Sequence, residues 1–143
     1  MNKFRRRIRF GLFVVAAMLA ASAGAAGQNT PSITISGSVT GASAKHAVYV
    51  ALWNAAAFLA TPVQQIRIDA GADPRFQFRV PPGEYALSAF EDKNGNGILD
   101  MGAFGPKEPS GFWRDFHAWR KPRFADISSP YLKDTSAIQI RLH

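Results

Sequence analysis

Cysteine is absent from the chain, which excludes disulfides, thiolate metal sites and a cysteine nucleophile. Equally missing are a Gly-x-Ser-x-Gly elbow, an H-E-x-x-H helix and a glycine-rich phosphate loop. The histidines His46, His117 and His143 are scattered without a ligand spacing. No stretch past residue 27 sustains the 3.6-residue apolar period of a long helix. These absences leave enzyme chemistry little footing and point away from helical folds.

Acidic residues are also scarce, ten against 17 basic ones for a net charge of +7. That excess is local. Lys3, Arg5, Arg6, Arg7 and Arg9 open the chain without an acid among them, an apolar run follows from Phe10 to Ala21, and Ser22 to Gly27 are all small. A basic head, a short apolar stretch and a small-residue exit define a secretory signal peptide over residues 1–26. The apolar run is short of the roughly 20 residues that span a bilayer. Cleavage leaves twelve basic and ten acidic residues in 27–143, a net charge of +2, and no transmembrane segment. The basic pI is thus mostly a targeting feature, and nucleic acid drops out as a partner. The expected product is one periplasmic or secreted bacterial domain that depends on packing, and on any bound ion, for its stability.

Residues 27–143 read as strands. Ile33, Ile35 and Val39 alternate with Thr34, Ser36, Ser38 and Thr40, the period of a half-buried strand. Ala47 to Trp53 is apolar throughout, as in a strand covered on both faces. Asn54 is placed to cap one helical turn. Further strands are expected over Val63–Asp69, Arg75–Val80 and Glu84–Glu91, at Phe124–Ile127, and at the end with Ile138, Ile140 and Leu142 in phase. About seven short strands separated by turn residues predict an all-β, antiparallel sandwich. From Lys93 to Pro122 no period is sustained, yet Phe104, Phe112, Trp113, Phe116 and Trp119 fall there. A long loop rich in rings is expected to fold back as a flap over one end of the sandwich.

The start of that loop carries the sharpest motif. Asp92-Lys93-Asn94-Gly95-Asn96-Gly97-Ile98-Leu99-Asp100 places oxygen-bearing side chains at the first, third, fifth and ninth positions and glycine at the sixth. This is the front of an EF-hand type loop. Ca²⁺ takes about six to eight oxygens, and alternate side chains converge on it only where the backbone curls tightly. Asp92, Asn94, Asn96 and Asp100 would give side-chain oxygens and Ile98 its carbonyl. The twelfth position is Ala103 instead of glutamate. Unless Glu91, Glu108, Asp115 or Asp126 reaches the loop, affinity should be weak, on the order of 10⁻⁴ to 10⁻³ M. The alternative is a metal-free turn, which uses Asn-Gly pairs for the same backbone reasons.

Two further clusters bear on binding. Trp113, Arg114, His117, Trp119 and Arg120 form a candidate ligand surface for sugar rings or another flat ligand; the other role for the rings is to cover the end of the core. Glu91 continues the inward phase of Tyr85, Leu87 and Ala89, so it is placed for a buried contact, whereas Asp92 faces the other way. The two are therefore not an acid–base pair.

Val80-Pro81-Pro82-Gly83-Glu84-Tyr85-Ala86 resembles the strand opening of transthyretin-like and carboxypeptidase-regulatory-like sandwiches. The longer run from Pro82 to Asp100, followed by Phe104-Gly105-Pro106-Lys107-Glu108-Pro109 and Gly111-Phe112, resembles a secreted bacterial family known as domain of unknown function 2141. The likeness includes Val48–Trp53 and Pro122-Arg123-Phe124. It implies an exported immunoglobulin-like or prealbumin-like sandwich and supplies no reaction. The chain departs from that pattern at Glu91, where the family often has histidine, and at the bulkier Trp113–Trp119.

The expected function is that of an exported, non-enzymatic module, an envelope binding or interaction domain whose loop is ordered by Ca²⁺ and whose partner is a cell-envelope protein or glycan. A purely structural or accessory domain with a metal-free turn is the first alternative. A carbohydrate-active or hydrolytic protein using carboxylates near the loop is the second.

Overall fold

The computed structural model describes residues 29–116 and 120–143. The expected signal peptide, and the candidate surface residues His117 and Trp119, lie outside the described residues.

The first five strands expected from the sequence form. β1 (Ile33–Thr40), β2 (Ala47–Trp53), β3 (Gln64–Ile68), β4 (Arg75–Val80) and β5 (Gly83–Asp92) follow in order. A 3₁₀ turn at Ala55–Ala57 sits between β2 and β3, with the Asn54 side chain accepting the Ala57 N–H at 3.2 Å. Then come the short β6 (Met101–Gly102), β7 (Gly105–Pro106) and β8 (Ser110–Phe112), one helical turn α1 (Phe124–Ile127), β9 (Ser129–Tyr131) and β10 (Thr135–Arg141). The architecture is all-β, in several open sheets.

One sheet has the order β10-β1-β4, and the larger has β3-β2-β5-β8 with β9 also paired to β5. Both send their apolar face into one cluster. Ile35, Phe78 and Ile140 of the first sheet and Val50, Leu52 and Leu87 of the second are wholly buried there. Alternation along β4, where Phe76, Phe78 and Val80 are buried between exposed Arg75, Gln77 and Arg79, is what assigns each residue its side. Among the described residues no helix is long and apolar enough to cross a membrane.

Three expectations are revised. β1 and β10 pair in parallel while the other ladders are antiparallel, with a register shift between Ile35 and Gly37 that admits the last strand. Phe124–Ile127 is a helical turn, because the Asp126 carboxylate accepts the Arg123 N–H at 2.7 Å and closes the backbone on itself. The stretch after Asp92 is not structureless. β8 adds to the edge of β5, and β6 and β7 make a small hairpin. Strands of two or three residues are too short to show a period.

Candidate functional site: the acidic loop and its hairpin

β5 aims the loop. Its inward residues Tyr85, Leu87 and Ala89 lock it over the core, and it runs alongside β2 as far as the Ala47–Asp92 pair. The chain then turns back on the Asp92 carboxylate, which is only 4% exposed. That group accepts the N–H of Gly95 at 2.9 Å, of Asn96 at 3.2 Å and of Gly97 at 2.9 Å. Such a curl needs positive φ at Gly95 and Gly97, 76° and 74°. Gly97 also passes close to the sheet, so that a Cβ there would stand 3.3 Å from the Tyr49 hydroxyl.

The third, fifth and ninth positions meet. The amide groups of Asn94 and Asn96 both donate to Asp100 Oδ2. Their oxygens accept the N–H of Asn96 at 3.1 Å and of Ile98 at 2.8 Å. Of the four carboxylates named as further ligands, Glu108 is the one that reaches the loop. At 6% exposure it accepts the Lys93 N–H at 2.8 Å and the Asp100 N–H at 3.3 Å, tying the two ends of the loop together. It arrives through the β6–β7 hairpin, and the Lys107 N–H on Asp100 O at 2.8 Å secures that return. The residue at the twelfth position, Ala103, is exposed on the hairpin. Among the described residues no three His, Asp or Glu side chains gather at one metal-ligand point. Any ion would be held by amide and backbone oxygens beside the carboxylates, after a turn of the Asn94 and Asn96 amides.

The other candidates are engaged elsewhere. Glu91, 1% exposed, accepts both the N–H and the hydroxyl of Ser43. Burial pushes its carboxyl up, but the two Ser43 bonds, with His46 and Lys93 nearby, more than offset this and leave it below its ordinary value. No sequence signal marks Ser43 as its partner. Asp126 is held well below the usual carboxylate range by the Arg120 guanidinium, at 2.7 and 3.0 Å, and by the Arg123 N–H. Asp115 is exposed after β8.

In the candidate ligand surface, Trp113 is half-buried against the core and its backbone N–H donates to Leu87 O at 3.0 Å. Arg114 donates to Ser128 O at 2.9 Å. Arg120 lies over the Phe116 ring, 5.1 Å from its centre. These residues are spread along the flank of β5 and α1 and are occupied by intramolecular contacts.

Large apolar side chains that are not covered stand on the loop and its hairpin. Ile98 is 66%, Met101 63% and Phe104 fully exposed at 105%. Phe104 was visible in the sequence as part of the aromatic segment; that Ile98 and Met101 join it depended on the hairpin, which the sequence pattern did not show.

A family model described as "Uncharacterized protein conserved in bacteria (DUF2141)" matches residues 38–139. No curated protein and no solved structure matches the chain.

Proposed function

We propose that this chain, which belongs to the DUF2141 family of bacterial proteins, is an exported, non-enzymatic module that presents its acidic loop and hairpin to a protein partner of the cell envelope. The two sheets sharing one core are read as an immunoglobulin-like or prealbumin-like sandwich, the scaffold on which the loop is carried. Export rests on the leader pattern of residues 1–26.

The observation that carries the proposal is the pairing of a tightly tied loop with uncovered apolar side chains. Asp92 and Glu108 immobilise the backbone on either side of Ile98, and Met101 and Phe104 project from the hairpin. Apolar groups held in one shape lose little freedom on binding, which favours association over a mobile loop of the same composition. Ca²⁺ acts in this proposal as a weak clasp on Asp92, Asn94, Asn96, Ile98 and Asp100. Support comes from the convergence of Asn94 and Asn96 on Asp100 and from Glu108 standing in the neighbourhood that lacks the usual twelfth-position acid.

A metal-free turn is the competing reading, favoured by the three N–H groups that already satisfy Asp92. Thermal unfolding with millimolar Ca²⁺ against chelator separates the two. A saturable rise that disappears in Asp100→Asn supports the clasp; no rise leaves the turn. For the presenting role, a photo-crosslinking residue placed at 104 in growing cells should give a discrete envelope-protein adduct. Absence of any adduct at 104 and at 101 would overturn it.

A further inference from the structure

Beside the loop, at the same end of the larger sheet, lies a cleft of about 330 Å³; Asp92, Asn94 and Gly95 of the loop form one wall, and its cationic side is used by none of the roles above. Lys45 lines it from the turn before β2, Tyr49 from β2, Arg67 from β3, and Lys93 from the loop, with His46 at the side. The sheet register explains the arrangement. Tyr49 is the cross-strand partner of Arg67 on one side and of Phe90 on the other. Its ring stacks on Phe90 at 5.2 Å and 10°, so Tyr49 is fixed and its hydroxyl is set under Gly97.

The lining carries three cations against one acid. Lys45, Arg67 and Lys93 are exposed cations. Arg67 also holds Asp69, which leaves the two lysines as the least engaged. The acid on the cleft wall is Asp92, buried and turned onto the loop's own N–H groups. Glu91 next to it points inward to Ser43. A concave surface with cations at its rim and its one carboxylate already satisfied raises the local concentration of anions. The volume falls at the lower end of the range for small-molecule sites.

We propose that this cleft binds a small ligand through a carboxylate or phosphate group, held among Lys45, Lys93 and Arg67 with the Tyr49 hydroxyl as a neutral hydrogen-bonding group. The site is distinct from the apolar hairpin and does not depend on Ca²⁺.

The test is an amide NMR titration of the 27–143 chain in buffer freed of Ca²⁺ by a chelating resin, so that failure of the metal clasp has no bearing on the result and no soluble chelator competes as an anion. Inorganic phosphate and glucuronate are the two anionic probes, and glucose is the uncharged control. Saturable shifts confined to the amides around 45–49, 67 and 92–95, with either anion and not with glucose, are the expected result. Phosphate alone would assign a phosphorylated ligand; glucuronate alone, a carboxylated one. Lys45→Glu with Lys93→Glu should weaken binding at least tenfold while leaving thermal unfolding close to wild type. Arg75→Glu, on the other sheet, should leave the affinity unchanged. Shifts that fail to saturate, that scatter over Arg75 and Arg79, or that survive the double charge reversal overturn the proposal.

Discussion

A Cβ at position 111 would stand 1.9 Å from the Arg141 carbonyl oxygen, and one at position 37 would stand 2.0 Å from that of Ile138. Both glycines let another backbone pass against their own, Gly111 where β8 meets the last strand and Gly37 where β1 accepts it. Gly111→Ala and Gly37→Ala should each cost about 1–3 kcal/mol, the usual penalty of forced overpacking, read as a lower urea midpoint. Glu91 acts at the same scale. Its folded carboxyl lies below the ordinary 4.5, so the charged form is the one folding favours. The contribution is fully present above about pH 4.5 and is lost as pH falls through the lowered folded value. Glu91→Gln should therefore lower stability at pH 7 by about 1–3 kcal/mol, as expected for a buried hydrogen bond to a charged group. The gap between variant and wild type should shrink toward pH 3, and urea unfolding at the two pH values measures it. The inward phase of Glu91 was readable from Tyr85, Leu87 and Ala89, since it follows from period two. Ser43, 48 residues away, was not, because a serine in a turn looks the same whether or not a carboxylate reaches it.

At the scale of elements, the loop from Asp92 to Glu108 behaves as one device with two fasteners. Asp92 gathers the first half through three N–H groups, and Glu108 bridges the N–H groups of Lys93 and Asp100. Glu108→Gln keeps the side-chain length but replaces one acceptor oxygen with a donor amide, so one of the two bridges must fail. It should lower thermal stability and abolish most of any Ca²⁺ effect. With a dissociation constant on the order of 10⁻⁴ to 10⁻³ M, about 10 mM Ca²⁺ would add roughly 1.4–2.7 kcal/mol to the wild type. That is a rise of several degrees in the unfolding midpoint, and calorimetry with and without chelator measures it in both proteins. The long strands β1, β4 and β5 were legible because each spans enough residues to display its alternation, and β2 because its run is apolar throughout. The β6–β7 hairpin and β8 were not. Their pairing is dictated by Glu108 and Gly111 meeting distant backbone, and a three-residue Ser-Gly-Phe strand carries no pattern of its own. The turn at Phe124–Ile127 reads as a strand in the sequence because Phe, Ala and Ile fit either state, and what decides is the Asp126 carboxylate on the Arg123 N–H.

For the molecule as a whole, the question is what holds two open sheets on one core. Apolar side chains from both faces supply most of it, and the seam between β8 and the end of the chain closes one side. Ser110 and His143 exchange two main-chain hydrogen bonds, at 3.4 and 3.2 Å, while the Leu142 N–H bonds Thr40 O at 2.9 Å and its side chain is buried in the core cluster. The last strand was foreseen from Ile138, Ile140 and Leu142. Its parallel pairing to β1 was not, because relative direction between strands about a hundred residues apart leaves no local trace. Removing Leu142 and His143 takes away a buried leucine, the bond to Thr40 and both bonds to Ser110 in one step. The loss should be about 2–5 kcal/mol from the leucine alone, a large part of what a domain of this size has. Hydrogen exchange distinguishes loosening of the seam from general unfolding. In the shortened chain the Ser110 amide, whose His143 acceptor is removed, should lose protection first, and that of Trp113, bonded to Leu87 O, should follow only as β8 loosens from its remaining β5 side. The amides of Val50 and Leu52, central in the β3-β2-β5 ladder, should keep theirs up to the global limit. Equal loss of protection in both sets would mean that the end of the chain supports the whole core at once, and that the two sheets have no stable association without it.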